Sequence, residues 1–452
     1  MLSLSDIFKA YDVRGIYPDQ IDEKVARAIG AAFAAFAGSK AIVVARDMRV
    51  SSPSLEAAFI EGVTSTGADV MHLGPASTDL MYFASGKLNL PGAIFTASHN
   101  PAEYNGLKVC REGAAPISGE TGLSDIRDRT KTILDSGGPP SGESDREPGQ
   151  ISEIDLLDDY AKHCRSFIDP GNLKPLKIVA DAANGMGGMV APAVFGGLPV
   201  ELIPMYFELD GTFPNHPADP IQPENLADLK AKVIAEGADL GLAFDGDADR
   251  VFIVDDKAQP CSGSLTTALV AKGILDRNPG EKVIYNLICS RAVPEVIREN
   301  SGEPVRTRVG HSFIKAVMAE TGAIFGGEHS GHYYFRDNYR ADSGLIAALI
   351  VIEQICLAGE ALSELRKPFE RYYSSGEINS RVSDPADVMK KVAASFDDGV
   401  QDWTDGLTVS YKGHWFNLRP SNTEPLLRLN MEAESEELLE LELPRVLDAI
   451  RG

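Results

Sequence analysis

The sequence predicts an α/β protein of three related units followed by a smaller α+β domain. Length is the first indication: at roughly 150 residues per domain, 452 residues hold three or four domains. The second is a repeated plan of β-branched run, helical pattern, second run and then a strand opening into a polar loop. Gly92-Ala93-Ile94-Phe95 enters Thr96-Ala97-Ser98-His99-Asn100-Pro101, and Gly241-Leu242-Ala243-Phe244 enters Asp245-Gly246-Asp247-Ala248-Asp249-Arg250. Gly322-Ala323-Ile324-Phe325 enters Gly326-Gly327-Glu328-His329-Ser330-Gly331-His332. Strands alternating with helices form α/β layers, and such sheets bind ligands beyond their strand ends. The three polar loops are therefore the expected places for chemistry.

The first unit is expected over residues 1–150, because Ser136 to Gln150 is rich in Gly, Pro and Ser and marks a linker or long surface loop. The second, 151–258, ends after the strand Val251 to Val254. The third, 259–370, ends near Pro368 to Tyr372, where the βα rhythm stops. In 371–452, short strands around Tyr373 to Arg381, Leu407 to Tyr411 and Trp415 to Leu418 mix with a helix at Ser435 to Ile450.

Sixty-six acidic against 43 basic side chains give a formal net charge of −23, a field that repels phosphate backbones and anionic lipid surfaces. Neither nucleic acid nor membrane is expected as a partner. The apolar run Leu345 to Ile352 stops at Glu353, short of the roughly 18 residues of a membrane span. Asp6 and Lys9 interrupt the start before an apolar signal core forms, so a cytoplasmic location is expected. The five cysteines, Cys110, Cys164, Cys261, Cys289 and Cys356, lie far apart with no C-x-x-C and read as reduced packing residues.

Asp245, Asp247 and Asp249 follow an apolar strand, so their carboxylates can converge as hard oxygen ligands. A solvated acidic turn is the bland alternative. A calcium EF-hand loop fails, with Arg250 where glycine makes the turn and Asp256 in place of the final glutamate. Magnesium is the better match. Ser98 sits in a strand exit stiffened by Pro101 and can serve as nucleophile or phosphate carrier, or simply cap a turn. A Ser-His hydrolase is disfavoured, since neighbours in extended chain point to opposite sides and no G-x-S-x-G elbow occurs. Lys108 follows the turn pair Asn105-Gly106, near enough to fold back on Ser98, where it can neutralise phosphate charge or exchange protons, unless it is a solvated surface charge. Glu328, Ser330 and His332 alternate between glycines and suit a polyol. Arg419, Ser421, Asn422, Thr423 and Arg428 suit a phosphate dianion, or a capped turn. Gly185-Met186-Gly187-Gly188 resembles half of a dinucleotide fingerprint but lacks its closing glycine, so it reads as a tight βα turn.

Together the loops resemble the α-D-phosphohexomutase superfamily, in its phosphomannomutase and phosphoglucomutase branch. T-A-S-H-N-P at Thr96 to Pro101, D-G-D-A-D-R at Asp245 to Arg250, G-E-H-S-G-H at Gly327 to His332 and R-P-S-N-T-E-P at Arg419 to Pro425 occur in the family's order, after Tyr11-Asp12-Val13-Arg14-Gly15. The resemblance covers essentially the whole chain. It implies three related α/β domains with mixed sheets and a C-terminal domain resembling the TATA-binding-protein fold, around a central cleft.

The resemblance further implies that Ser98 is carried as phosphoserine, with Mg²⁺ held by its phosphate and by Asp245, Asp247 and Asp249. Arg250, Lys108 and Arg14 would surround the transferring group. Hexose 1-phosphates and 6-phosphates would interconvert through a hexose 1,6-bisphosphate, with glucose 1,6-bisphosphate or mannose 1,6-bisphosphate as activator. Glu328 and Ser330 would contact the sugar O3 and O4, which glucose and mannose share, so both epimers are expected as substrates. Lys108, His99 and His311 are all plausible acids or bases by type, and Lys108 with His99 assisting is favoured. His329 stands where many relatives carry methionine or glutamine. Phosphoglucosamine mutase is the rival enzyme, disfavoured by Asn422 where those relatives usually have glycine. A non-catalytic sugar-phosphate or Mg²⁺-binding protein is the alternative of another class. A monomer or weak homodimer is expected.

Overall fold

Each polar loop of the repeat turns out to join a parallel strand to an antiparallel return strand. Gly92–Phe95 returns as Tyr104–Cys110, Leu240–Phe244 as Val251–Asp255, and Phe325–Gly327 as Tyr333–Phe335. This is the geometry of a computed structural model that describes residues 4–136, 147–420 and 426–451, and of His311 and Ser312 the backbone alone. Among the described residues four sheets form.

The first sheet has six strands in the order Val13–Ile16, Tyr104–Cys110, Gly92–Phe95, Ala41–Arg46, Asp69–Pro75 and Ile151–Glu153. Its last four strands are mutually parallel and Tyr104–Cys110 runs antiparallel to both of its neighbours, so the sheet is mixed. Ile151–Glu153 brings in a strand from beyond residue 150. The second sheet has five strands, ordered Pro260–Cys261, Val251–Asp255, Leu240–Phe244, Leu176–Asp181 and Val200–Met205. The third has four, ordered Glu303–Thr307, Lys282–Asn286, Phe325–Gly327 and Tyr333–Phe335. Its loop strand starts three residues later than the repeat suggests and ends two later. Gly322, at φ 71°, ends the helix His311–Thr321 in the left-handed conformation that glycine takes most readily, so the strand starts only after it.

One hydrophobic core runs through the first three units, joining Ile94, Tyr160, Phe244 and Phe325 to the helix Gly344–Ala358. That helix contains the Leu345 to Ile352 run, which is buried because the helix packs between Gly263–Leu275 of its own unit and Leu157–Arg165 and Val251–Asp255 of the second. No single described helix is long and apolar enough to cross a membrane. All five cysteines are buried and unbridged, as expected of packing residues.

The last unit is a five-stranded antiparallel sheet, Tyr373–Arg381, Leu426–Ala433, His414–Pro420, Leu407–Ser410 and Val400–Asp402. Helices Pro385–Ser395 and Glu436–Arg451 close its core of Val392, Phe396, Phe416, Leu429 and Val446. It docks on the third unit through Arg291. The Arg291 backbone N–H donates to Glu432 Oε2 at 2.9 Å, and its guanidinium donates to the carbonyls of Tyr411, Lys412 and His414.

Candidate active site

In the first loop Ser98 adopts φ 49°, a left-handed conformation unusual for a residue with a side chain. The turn is closed by Thr96 Oγ1, which accepts the Ser98 N–H at 3.0 Å, and by the Asn100 N–H on the Ala97 carbonyl. Ser98 Oγ donates to Asp245 Oδ2 at 2.7 Å and lies 3.2 Å from His99 Nδ1. Extended-chain geometry had separated Ser98 from His99. The left-handed turn brings the two side chains together instead. They still do not make a hydrolase pair, because the Arg250 guanidinium also bonds His99 Nδ1. Burial, aided by the charges of Arg250 and Arg14, holds the His99 pKa well below its usual range, so the ring is neutral.

The second loop presents Asp245, Asp247 and Asp249, all buried, with one carboxylate oxygen from each lying within 4.8 Å of the others. Met186 N–H donates to the Gly246 carbonyl at 2.9 Å, so the glycine-rich turn at residues 185–188 is a scaffold for this loop. Burial, together with Asp247 and Asp249, pushes Asp245 up to about 7 against the pull of Arg250 and Lys108. For Asp247 burial acts the same way, but the Lys108 ammonium outweighs it and holds the carboxyl below its usual range. Oδ1 of Asp247 and Oδ1 of Asp249 are buried without a hydrogen-bond partner among the described residues. Orphaned hard oxygens in a convergent set fit Mg²⁺.

Lys108 Nζ donates to Asp247 Oδ2 and Asp249 Oδ2, both at 2.7 Å. Burial would lower its pKa, but the two carboxylates hold it well above the usual lysine range. Asn105-Gly106 is no turn. Both residues lie in the strand Tyr104–Cys110, and a Cβ at Gly106 would sit 2.1 Å from the Val13 carbonyl oxygen, so backbone packing explains this glycine. Lys108 reaches the site because its strand pairs with Gly92–Phe95. Arg14, across from Gly106, is gripped by Asp12 at 2.8 and 2.9 Å and bonds Asn100 Oδ1. Arg250 Nε donates to Asp245 Oδ2 at 2.9 Å.

In the third loop both Glu328 oxygens are held. Tyr334 OH donates to Oε1 at 2.6 Å, while Asn286 Nδ2 and the Gly310 N–H donate to Oε2 at 3.1 and 3.3 Å. A carboxylate has lone pairs left over for sugar hydroxyls. Ser330 is half-buried beside it. His332 Nδ1 donates to Asp342 Oδ2 at 2.8 Å and lies 3.9 Å from Asp249 Oδ1, so this loop meets the aspartate loop. His329 turns away, its Nδ1 3.1 Å from Ser264 Oγ, and burial lowers its pKa. His311 opens the helix His311–Thr321.

Arg419 and Arg428 sit opposite each other in register on adjacent strands. They line a cavity of about 580 Å³ with Tyr11, Arg308, Phe313 and Trp403. Nε of both arginines is buried without a hydrogen-bond partner among the described residues. Two like charges with spare donors suit a phosphate dianion. Ser421, Asn422 and Thr423 lie outside the described residues.

Family models described as phosphoglucomutase/phosphomannomutase alpha/beta/alpha domains I, II and III and C-terminal domain match residues 5–136, 158–259, 262–372 and 377–449. The chain belongs to the phosphoglucomutase/phosphomannomutase family. It is a phosphohexomutase, as the motif order implied. A phosphomannomutase of Salmonella montevideo is 42% identical, covering 96% of this chain and 98% of that protein. Phosphohexose mutases of Xanthomonas campestris pv. campestris are 38% identical, covering 98% and 99%. A phosphoglucomutase/phosphomannomutase family protein from Burkholderia thailandensis superposes with a TM-score of 0.88 at 35% identity, covering 100% and 98%.

Sequence reasoning missed four buried residues of this phosphohexomutase. Lys315 Nζ pairs with Asp342 Oδ1 at 3.0 Å and lies over the Tyr82 ring, thereby fixing the partner of His332. Asp47 and Arg49 lie beneath the Ser98 loop. The one local signal was a charged pair at the exit of the strand Ala41–Arg46, at the same sheet end as Ser98.

Proposed function

We propose that the chain interconverts hexose 1-phosphates and hexose 6-phosphates, of mannose and also of glucose, through a phosphorylated Ser98 and a hexose 1,6-bisphosphate. The observation that carries this reading is the Ser98 hydroxyl aimed at Asp245 within a set of three buried carboxylates. The serine O–P bond breaks as an O–P bond forms to the free hydroxyl of the sugar. That hydroxyl gives up its proton, and Ser98 Oγ gains one. After the bisphosphate turns end for end, the same exchange in reverse returns the other phosphoryl group to Ser98.

Asp245, Asp247 and Asp249 would hold Mg²⁺ with the serine phosphate. When bound, the ion neutralises charge on the phosphoryl oxygens. Arg250 and Arg14 flank the Ser98 loop as fixed cations, which suits a reaction governed by positioning and charge. Lys108 is an ammonium in this arrangement, fitted to charge neutralisation and proton donation more than to proton abstraction. His99, held neutral with its Nδ1 shared between Ser98 Oγ and the Arg250 guanidinium, is fitted to orient the serine by hydrogen bonding rather than to take up its proton. Arg419 and Arg428 would grip the far phosphate in either orientation of the sugar, and Glu328 and Ser330 its O3 and O4. Those centres are common to mannose and glucose, which supports acceptance of both.

The test is a coupled assay of mannose 1-phosphate and glucose 1-phosphate, with Mg²⁺ and trace glucose 1,6-bisphosphate, on the protein and on Ser98→Ala. Conversion of both sugars, lost in the variant, is expected. Turnover of one epimer, with the other neither substrate nor competitor, would remove dual specificity. Conversion of neither, with activity on glucosamine 6-phosphate, would make the chain an amino-sugar mutase.

A further inference from the structure

We propose that Arg49 is a positioning residue for phosphoryl transfer, holding Ser98 in its left-handed conformation from beneath the loop. The proposal rests on Ser98 being the phosphate carrier. Arg49 is 1% exposed. Its Nη1 donates to the carbonyls of Pro101 at 2.7 Å and Tyr104 at 2.9 Å, and its Nη2 to those of Ser98 at 2.8 Å and Asn100 at 2.6 Å. Four carbonyl oxygens, spread over seven residues of loop, thus converge on one guanidinium.

A guanidinium has five N–H groups. Four are spent on the loop, and Nε faces Asp47 Oδ2 at 3.3 Å. Nε makes no hydrogen bond among the described residues but is buried against that carboxylate, and the four Nη hydrogens are taken by the loop, so despite its charge and its closeness to Ser98, Arg49 acts through the backbone. Asp47 fixes it in turn: Oδ1 accepts the Arg49 N–H at 2.9 Å and the Ser52 hydroxyl at 2.6 Å. The Phe213 ring, from the second unit, caps the guanidinium at 5.1 Å. The clamp therefore lies between the unit that carries Ser98 and the unit that carries the aspartates.

The clamp has a clear job. A residue with a side chain at φ 49° persists only where its surroundings hold it. Without the bond to its carbonyl, Ser98 is free to relax to negative φ, which would swing Oγ off the aspartate set. Lysine keeps the charge but is a single point, unable to span four diverging carbonyls.

The test compares Arg49→Lys, Asp47→Asn and Ser98→Ala with the parent protein. It measures kcat and KM for mannose 1-phosphate, the Mg²⁺ dissociation constant by calorimetry, and the rate of Ser98 phosphorylation by glucose 1,6-bisphosphate. For Arg49→Lys we expect kcat and the phosphorylation rate to fall by roughly 10- to 100-fold, since misplacing a reacting atom by about 1 Å costs that much. KM and the Mg²⁺ constant should stay within about twofold, the pattern of a lost transition-state interaction. Asp47→Asn should show the same split more weakly, and it serves if Arg49→Lys does not fold. A kcat within about twofold of the parent, or equal losses in kcat, KM and Mg²⁺ binding, would overturn the proposal. If Ser98→Ala keeps full turnover, the phosphoserine reading falls and this proposal with it. If only Arg49→Lys and Asp47→Asn keep it, the clamp alone is refuted.

Discussion

Ser98 Oγ donates a 2.7 Å hydrogen bond to Oδ2 of Asp245, a residue 147 positions further along the chain and in a loop of a different sheet. The contact requires two loops from separate α/β units to meet almost without clearance. A Cβ at Gly246 would lie 2.4 Å from the Ser98 carbonyl oxygen.

That clearance makes Gly246→Ala a sharp test of loop apposition. The added methyl must push the loops apart, so turnover should fall by about 100-fold, with a stability loss of only about 1–3 kcal/mol. Steady-state kinetics and urea unfolding on one preparation check both halves. Unimpaired turnover would mean that the loops need not touch.

Arg419→Met should act on binding. Loss of a charge-assisted contact of about 1.5–3 kcal/mol raises KM for hexose phosphate by about 10- to 100-fold. Initial-rate measurements over a range of substrate concentrations decide it. An unchanged KM would place the far phosphate elsewhere.

Lys315 and Asp342 are both nearly fully buried. Burial disfavours the Asp342 charge, yet Lys315 and His332 hold its pKa well below the usual carboxylate range. Lys315→Met strands that charge and should cost about 3–5 kcal/mol, whereas Lys315→Met with Asp342→Leu should recover much of the loss. Urea midpoints of the single and double variants check it. A double variant as unstable as the single would refute the pairing.

His216 provides a pH test in its own ion pair with Asp181. Burial would lower its pKa from 6.5, but its 2.9 Å bond to Asp181 and that residue's charge raise it. A raised folded value means that the pair's stabilisation is fully present below the unfolded pKa and disappears as pH rises through the folded one. The stability gap between the parent and His216→Gln should therefore be widest in mild acid and close above neutrality. An NMR titration midpoint for His216 at or below 6.5 would contradict this.

Local pattern and tertiary context divided this protein along a physical line. Ser98, the aspartate triplet and Glu328 were legible because each stands in a short contiguous motif just past a strand end, where the ordering of an α/β sheet already says chemistry collects. Asn105-Gly106 shows the limit. Its local preference is for a turn, but pairing of Tyr104–Cys110 with strands on both sides overrides that preference.

The sequence by itself determined the layered α/β units, the α+β end domain and the loops that carry the donors and acceptors, since periodicity and turn chemistry are local. Only the tertiary structure decided which charges meet. Lys108 finds Asp247 139 positions away and Arg49 finds Asn100 51 away. Burial then shifts these groups: it raises Asp245, neutralises His99 and, through paired carboxylates, keeps Lys108 charged. Electrostatics depends on distance and desolvation in three dimensions, and neither is written in the spacing of residues along a chain.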